Sequence, residues 1–392
     1  MARVGGRRAG CRAPNFKSHP NISGPTARPS TGHPHRPRPF AKPEARAYRH
    51  ARKGKHARRE IKGGLRMRRA LSFRAALGTA AILLSAQGAM AADIKIGFLP
   101  GVVDPFYQVM QKGVEQAAKD LGIEVVTQVP PTWGVEAQTP ILDALVARGD
   151  LDYIITAPVE KEQMVAPLQA ALDAGIKIIT VDTFLGDGDY VGGQVTFPIS
   201  YIGSDNVEGG RISARGLAKA IGGKGTVYIN STNPNVSSVE GREQGFKEVM
   251  AAEFPDIKVL GPDYNLDDQN KAAQQTAAVI EQNPDLAGVF GTNVFSAGGA
   301  GNAVVNAGLG GAVQVVAYDA TAEAIELMGK GVVSLVLAQK PFDMGYMAVQ
   351  FAVADAAGVT SLPRRVETGF AIIDKDNVAD PEYSRFIYKV GQ

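Results

Sequence analysis

IKIGFLPGVVDPFYQVMQKGVEQAAKDLG, residues 94–122, holds one full unit of the pattern that decides the fold. The apolar run 94–98 predicts a strand. Phe106, Met110, Gly113, Ala117 and Leu121 then share one face at helical spacing, and Gly122 supplies a stop. The corner between the two elements carries Asp104, Phe106 and Tyr107. Adjacent helical residues do not share a face, so one of the two rings is expected to face a cleft while the other packs in the core.

The same unit recurs to the end of the chain. Further strands are predicted at 124–127, 152–156, 177–181, 226–230, 257–261, 286–291, 313–318 and 332–337, separated by segments of helical periodicity. Repeated βα units with near-continuous apolar strands indicate parallel sheets covered on both faces. The 300 residues beyond Ala92 exceed the usual span of one core, which favours two domains. The polar, glycine-rich stretch GDGDYVGGQVTFPISYIGSDN at 186–206 interrupts the alternation and reads as the first crossing between them. The expectation is an α/β protein of two doubly wound, Rossmann-like lobes, with a ligand cleft where the C-terminal strand ends of both lobes face each other.

Composition divides the chain sharply. Residues 1–92 hold 21 Lys and Arg against two acids, Glu44 and Glu60, so the remainder carries 42 − 21 = 21 basic and 39 − 2 = 37 acidic side chains. An acidic body near −16 argues against nucleic acid as a partner. All five histidines and the single cysteine, Cys11, lie within the first 56 residues. The body therefore lacks the residues for Ser-His-Asp or Cys-His nucleophiles, His or Cys metal sites, and disulfides. No metal or cofactor is expected, and only carboxylate chemistry stays open.

At residues 67–91, Arg68, Arg69 and Arg74 precede an apolar stretch from Ala75 to Ala86 and an Ala89-Met90-Ala91 small-x-small end. This is the form of a secretory signal peptide cleaved after Ala91, which places the mature protein in the periplasm. A dozen apolar residues fall short of the roughly 20 needed to span a bilayer. Residues 1–66, rich in Arg, Pro, Gly and His, read as a disordered basic extension produced by a misassigned start.

The predicted C-terminal strand ends carry Asp104, Phe106, Tyr107, Asp182, Asn293, Asp319 and Gln339. Carboxylates and amides can bind vicinal hydroxyls bidentately, and aromatic rings can cover C–H faces. Each has a plainer alternative: Asp182 and Asp319 as helix N-caps, the rings as core, Trp133 as local loop packing, and Arg242 as a solvated helix residue. Gly241 and Gly245 beside Arg242 permit close backbone approach. The GLGGAV run at 308–313 lacks the GxGxxG spacing and precedes a strand, so it reads as a turn.

The ordered motifs DPFY, ITVDT, YIGSDNVEGGR, EGREQGF, FGTN, AYD and LAQ resemble the periplasmic sugar-binding proteins of the ribose-binding type, whose fold also forms the effector domain of the lac repressor family. The likeness runs from Asp93 to about Lys389. It implies two lobes joined by a three-strand hinge and closing on a sugar: 93–202 with 340–367, and 203–339 with 368–392. By motif, Asp104, Phe106, Tyr107, Asp182, Arg242, Asn293, Asp319 and Gln339 would ring the ligand, with Trp133 and Thr183 as secondary candidates. Thr183 stands where the family has an arginine and Val294 where it has an acid. Loss of that rigid five-donor fork widens the ligand class from ribose to another pentose, a hexose, a polyol or a furanosyl signal of the autoinducer-2 type.

The expected function is an exported, monomeric solute receptor that closes around a sugar or polyol and delivers it to the membrane permease of an ABC-type importer. The alternative is a binding protein for an autoinducer-2-like signal, a chemoreceptor or a sensor kinase. A regulator would need a helix-turn-helix ahead of IKIGF, where the sequence has an export segment instead. A glycosidase would use two of Asp104, Asp182 and Asp319 as acid and base.

Overall fold

Strand and helix alternate as the apolar spacing dictates. A computed structural model describes residues 94–390, all within one compact unit, Ile82–Gln392. The extension and the signal segment read from the sequence lie outside the described residues. The first half runs β1 (Lys95–Leu99), α1 (Pro105–Leu121), β2 (Glu124–Thr127), α2 (Val135–Ala147), β3 (Tyr153–Thr156), α3 (Val165–Asp173), β4 (Lys177–Val181) and β5 (Tyr201–Gly203). It continues with α4 (Asn206–Ala220), β6 (Gly225–Ser231), α5 (Ser237–Glu253), β7 (Ile257–Tyr264), α6 (Gln269–Gln282), β8 (Leu286–Gly291), α7 (Val294–Asn306), β9 (Gln314–Tyr318), α8 (Ala322–Gly329) and β10 (Val333–Ala338). The chain ends α9 (Pro341–Ala356), β11 (Arg365–Glu367), β12 (Ala371–Ile373) and α10 (Pro381–Ser384).

These strands form two six-stranded sheets, ordered β11-β5-β4-β3-β1-β2 and β12-β10-β9-β8-β6-β7. Every pairing is parallel except β10 with β12. Alternate strand residues face opposite sides. Ile155 and Ile179 pack with Met110 and Met344 of α1 and α9, whereas Ile154 and Ile178 pack with Leu142 and Leu168 of α2 and α3. The second sheet repeats the scheme, with Val289 and Val315 toward α7 and α8 and Val227 and Phe290 toward α4 and α5. Two-faced burial explains the near-continuous apolar strands.

The chain passes between sheets three times: between Gly203 and Asn206, between Ala338 and Pro341, and between Glu367 and Ala371. The first passage is narrower than the 186–206 stretch expected from the sequence. Residues 186–200 stay with the first sheet. Tyr190 is buried with its hydroxyl 2.9 Å from Thr180 Oγ1, and Arg364 donates to the Tyr190 and Thr196 carbonyls. Polarity marked this loop correctly, but one aromatic anchor folds it back.

Two local features place the site. Asp104 caps α1 by accepting the Tyr107 N–H at 2.7 Å, and Pro105 opens the helix. Helices α4 and α5 cross through glycines: a Cβ on Gly210 would lie 2.1 Å from the Arg242 carbonyl oxygen, and one on Gly245 would lie 1.9 Å from that of Val207. That approach carries α5, and Arg242 with it, under the strand ends.

Candidate functional site

The strand ends converge on one cavity. Asp104 follows β1, Asp182 follows β4, Asp267 follows β7, Asn293 follows β8, Asp319 follows β9 and Gln339 follows β10, while Arg242 reaches in from α5. Phe106, Tyr107, Trp133 and Phe295 add aromatic surface. The space left open is about 40 Å³, room for a few water-sized molecules. All eight primary residues singled out in the sequence, and Trp133, lie on this wall.

The polar groups form a partly committed network. Tyr107 donates its hydroxyl to Asp182 Oδ2 at 2.7 Å, and Arg242 Nη2 stands 4.0 Å from Asp182 Oδ1. Arg242 is 2% exposed. It donates from Nε to Asn206 Oδ1 and from Nη1 to the Thr292 carbonyl, and its guanidinium lies 4.0 Å above the Tyr318 ring. Asp319 Oδ1 accepts from Gln339 Nε2 at 2.9 Å and from Tyr388 Oη at 2.8 Å. Asn293 donates from Nδ2 to Asp267 Oδ1, and Asn233 donates to Asp267 Oδ2.

Several readings of single residues change. Asp182 and Asp319 cap no helix: both are left-handed, at φ 62° and 74°, and Thr321 caps α8 instead. Asp is among the residues that tolerate this region, and such strain gathers where side chains must be aimed. Of the wall residues it is Asp104 and Asn293 that cap helices, so these two hold a helix start with one oxygen while facing the cavity. Phe106 and Tyr107 do not divide between core and cleft. Both are buried, both belong to the first sheet's core cluster, and both touch the cavity, their rings meeting edge-on at 5.1 Å. Arg242 is sixth in α5 and buried, not a solvated helix start. Trp133 stacks 6.3 Å from Tyr107 and donates its indole N–H to the Val159 carbonyl. Thr183 is corrected: fully buried, it donates to the Pro158 carbonyl and is not part of the wall.

Sequence reasoning missed Asp267, Ser238 and Phe295 on the wall and Tyr388 behind it. The apolar pattern ends β7 at Gly261, before the proline, whereas the strand runs on to Tyr264, so Asp267 is itself a strand-end residue. Phe295 lies two residues beyond the motif FGTN and was legible as an apolar residue in a first helical turn. Nothing local marked Tyr388.

Burial dominates the electrostatics. It pushes the Asp104 carboxyl well above the usual carboxylate range, with Asp319, Asp182 and Asp267 adding to the rise and the Tyr107 N–H opposing it. Burial pushes Asp182 up to about 6 against the pull of Arg242 and Tyr107. It likewise raises Asp267 to about 6 against the Asn293 and Asn233 amides, and raises Asp319 against Arg242, Gln339 and Tyr388. The wall thus carries four carboxyls and one guanidinium, which acts on Asp182 and Asp319. Among the described residues, Asp104 Oδ2 and Asp319 Oδ2 accept nothing from the protein, and Arg242 Nη2 has only the distant Asp182 oxygen. An excess of acceptors suits a neutral ligand rich in O–H donors and disfavours an anion. No cluster of three or more potential metal-ligating side chains occurs among the described residues.

The chain is similar to known proteins over most of the described residues. Residues 96–359 match the family described as periplasmic binding protein domain. The D-allose-binding periplasmic protein of Escherichia coli (strain K12) is 28% identical over 302 residues, 76% of this chain and 95% of that protein. Ribose import binding protein RbsB of Bacillus subtilis (strain 168) is 24% identical over 249 residues, 64% of this chain and 77% of that one. An ABC transporter solute binding protein from Agrobacterium vitis, solved with bound alpha-D-tagatopyranose, is 47% identical with a TM-score of 0.74, covering 76% of this chain and 100% of that one. A periplasmic solute binding protein from Actinobacillus succinogenes 130z with bound D-allose is 30% identical, with a TM-score of 0.66 over 72% of this chain and 98% of that one.

Proposed function

The chain belongs to the periplasmic binding protein domain family, and on that premise we propose that it is the solute receptor of an ABC-type importer, closing on a neutral monosaccharide in its pyranose form. One observation carries the reading. The wall contributed by both sheets has uncommitted acceptors on Asp104 and Asp319, one buried arginine with a free edge, and aromatic faces from Phe106 and Trp133. Vicinal hydroxyls would donate to the carboxylates and accept from Arg242, while the rings cover the apolar side of the sugar. Binding energy gained only when both walls touch the ligand would draw the sheets together by hinge motion.

D-Tagatose is the first candidate, supported by the 47% identical Agrobacterium vitis protein; D-allose and D-ribose follow from the more distant relatives. The export signal at 67–91 supports a periplasmic receptor. The transport role of the relatives supports receptor over glycosidase, with a membrane permease as the partner. The test is a thermal-shift screen of the ligand-stripped protein against D-tagatose, D-allose, D-ribose, D-arabinose, a polyol and a sugar phosphate. A neutral sugar at 100 times its Kd should add about 2.7 kcal/mol of stability. A response to the sugar phosphate alone would overturn the reading.

A further inference from the structure

Tyr388 lies outside every sequence motif, yet its side chain reaches one of the proposed ligand-binding carboxylates from behind. It is 4% exposed. Its N–H donates to the Ala320 carbonyl at 2.8 Å, which fixes the tail beside the β9 loop, and its hydroxyl donates to Asp319 Oδ1 at 2.8 Å. Burial holds the phenol neutral, pushing it well above its ordinary value, so the group is an obligate donor toward a carboxylate. Gln339 Nε2 donates to the same oxygen, and its own Oε1 is fixed by Ser204 Oγ at 2.7 Å. Both protein donors to Asp319 therefore converge on Oδ1.

The ring belongs elsewhere. It sits in the core cluster of the first sheet with Phe106, Met110 and Met344, its centroid 6.2 Å from that of Phe106 at 60°. One residue thus ties a carboxylate of the second sheet to an aromatic wall residue of the first.

Resting on the sugar-receptor reading, we propose that Tyr388 is a positioning residue: its hydroxyl, with Gln339, occupies Asp319 Oδ1 so that Oδ2 alone is presented to the ligand, in register with Phe106. Without that hydroxyl, Asp319 can rotate, share either oxygen, or take up a proton more readily.

The test is Tyr388→Phe in the full chain, which keeps the ring and its packing, with Kd measured by calorimetry at pH 8 and pH 6 for the best neutral sugar of the screen. The expected result is a rise in Kd of about tenfold at pH 8, the scale of one hydrogen bond to a charged group. The rise should be larger at pH 6, where Asp319 lacking a donor is more easily neutralised, with the circular dichroism spectrum unchanged. Wild-type Kd at both pH values, or an equal rise at both, overturns the positioning role. A wild-type protein that binds no sugar overturns the receptor reading and this inference together.

Discussion

Lys161 Nζ lies 2.6 Å from Glu240 Oε2, joining the turn after β3 of the first sheet to helix α5 of the second. The backbone beside it is also paired across the sheets: Lys161 N–H donates to the Asn235 carbonyl, and Phe184 N–H donates to Ser237 Oγ. None of these groups lines the ligand cavity, so they favour the closed arrangement whether or not sugar is present.

Lys161→Met should therefore weaken sugar binding without touching a ligand contact. A partly exposed pair is worth at most about 1 kcal/mol, so Kd should rise by about two- to fivefold, mainly through faster release. Stopped-flow dissociation rates for Lys161→Met, Glu240→Gln and the double variant check this. A double variant that loses as much as the two singles combined would show the residues act separately.

Asp319→Asn and Asp104→Asn should lower sugar affinity at least tenfold while the protein stays folded. Asparagine keeps an acceptor for the α1 cap at position 104 and tolerates the left-handed backbone at 319. Alanine at 104 would cost about 1 kcal/mol through the lost cap alone, and at 319 would strand the Gln339 and Tyr388 donors. Calorimetry and denaturant midpoints separate loss of binding from loss of fold.

Acid should stabilise the empty closed form through Asp182 and Asp267. Each carboxyl has a folded pKa of about 6 against an ordinary value of 3.8. A raised folded pKa means the native state binds the proton more tightly, so this contribution is complete below about 4 and is lost as pH rises through 6. Between pH 7.5 and pH 5 each group should add about 1 kcal/mol. The measurement is the denaturant midpoint of ligand-free wild type against Asp267→Asn at both pH values. Equal pH responses in the two proteins would show that Asp267 is not the titrating group.

Gly245→Ala should destabilise the protein by about 1 to 3 kcal/mol, because the added methyl meets the Val207 carbonyl 1.9 Å away where α4 crosses α5. Sugar affinity should fall as well, since α5 carries Arg242. Gly329→Ala at the end of α8, where a Cβ meets nothing within 4 Å, is the control and should be neutral or slightly stabilising. Thermal melts with and without sugar separate the two effects.

The strands with two buried faces were legible because apolar continuity is itself the physical requirement of such a position; the less buried edge strands β2 and β7 kept enough apolar residues to be read too, and all nine strands that the sequence predicts are present. The three short strands β5, β11 and β12 were not. Each has three residues and depends on a partner remote in sequence, as when Arg365 to Glu367 pair with Tyr201 to Gly203. Among site residues, Asp104, Asp182, Asn293 and Asp319 could be found from their places just beyond the C-terminal ends of predicted strands. Asp267 escaped because Gly261 and Pro262 look like an end of β7. Tyr388 escaped because its role comes only from folding the tail against Asp319. The capping roles of Asp104 and Asn293 were not read from the sequence, and the capping alternative for Asp182 and Asp319 stayed open there, because a strand end and a helix start differ by backbone angle, which side-chain identity does not report.

The two edge strands β11 and β12 sit three residues apart in sequence, yet one completes the first sheet and the other the second. Neither half of the molecule is thus a continuous length of chain. A gene fragment ending before residue 365 would encode two sheets that each lack an edge, and a recombination point placed anywhere in the middle would exchange parts of both. Shuffling such proteins in the laboratory, or in their history, should succeed only by replacing the body entire or by trading the loops at its strand ends.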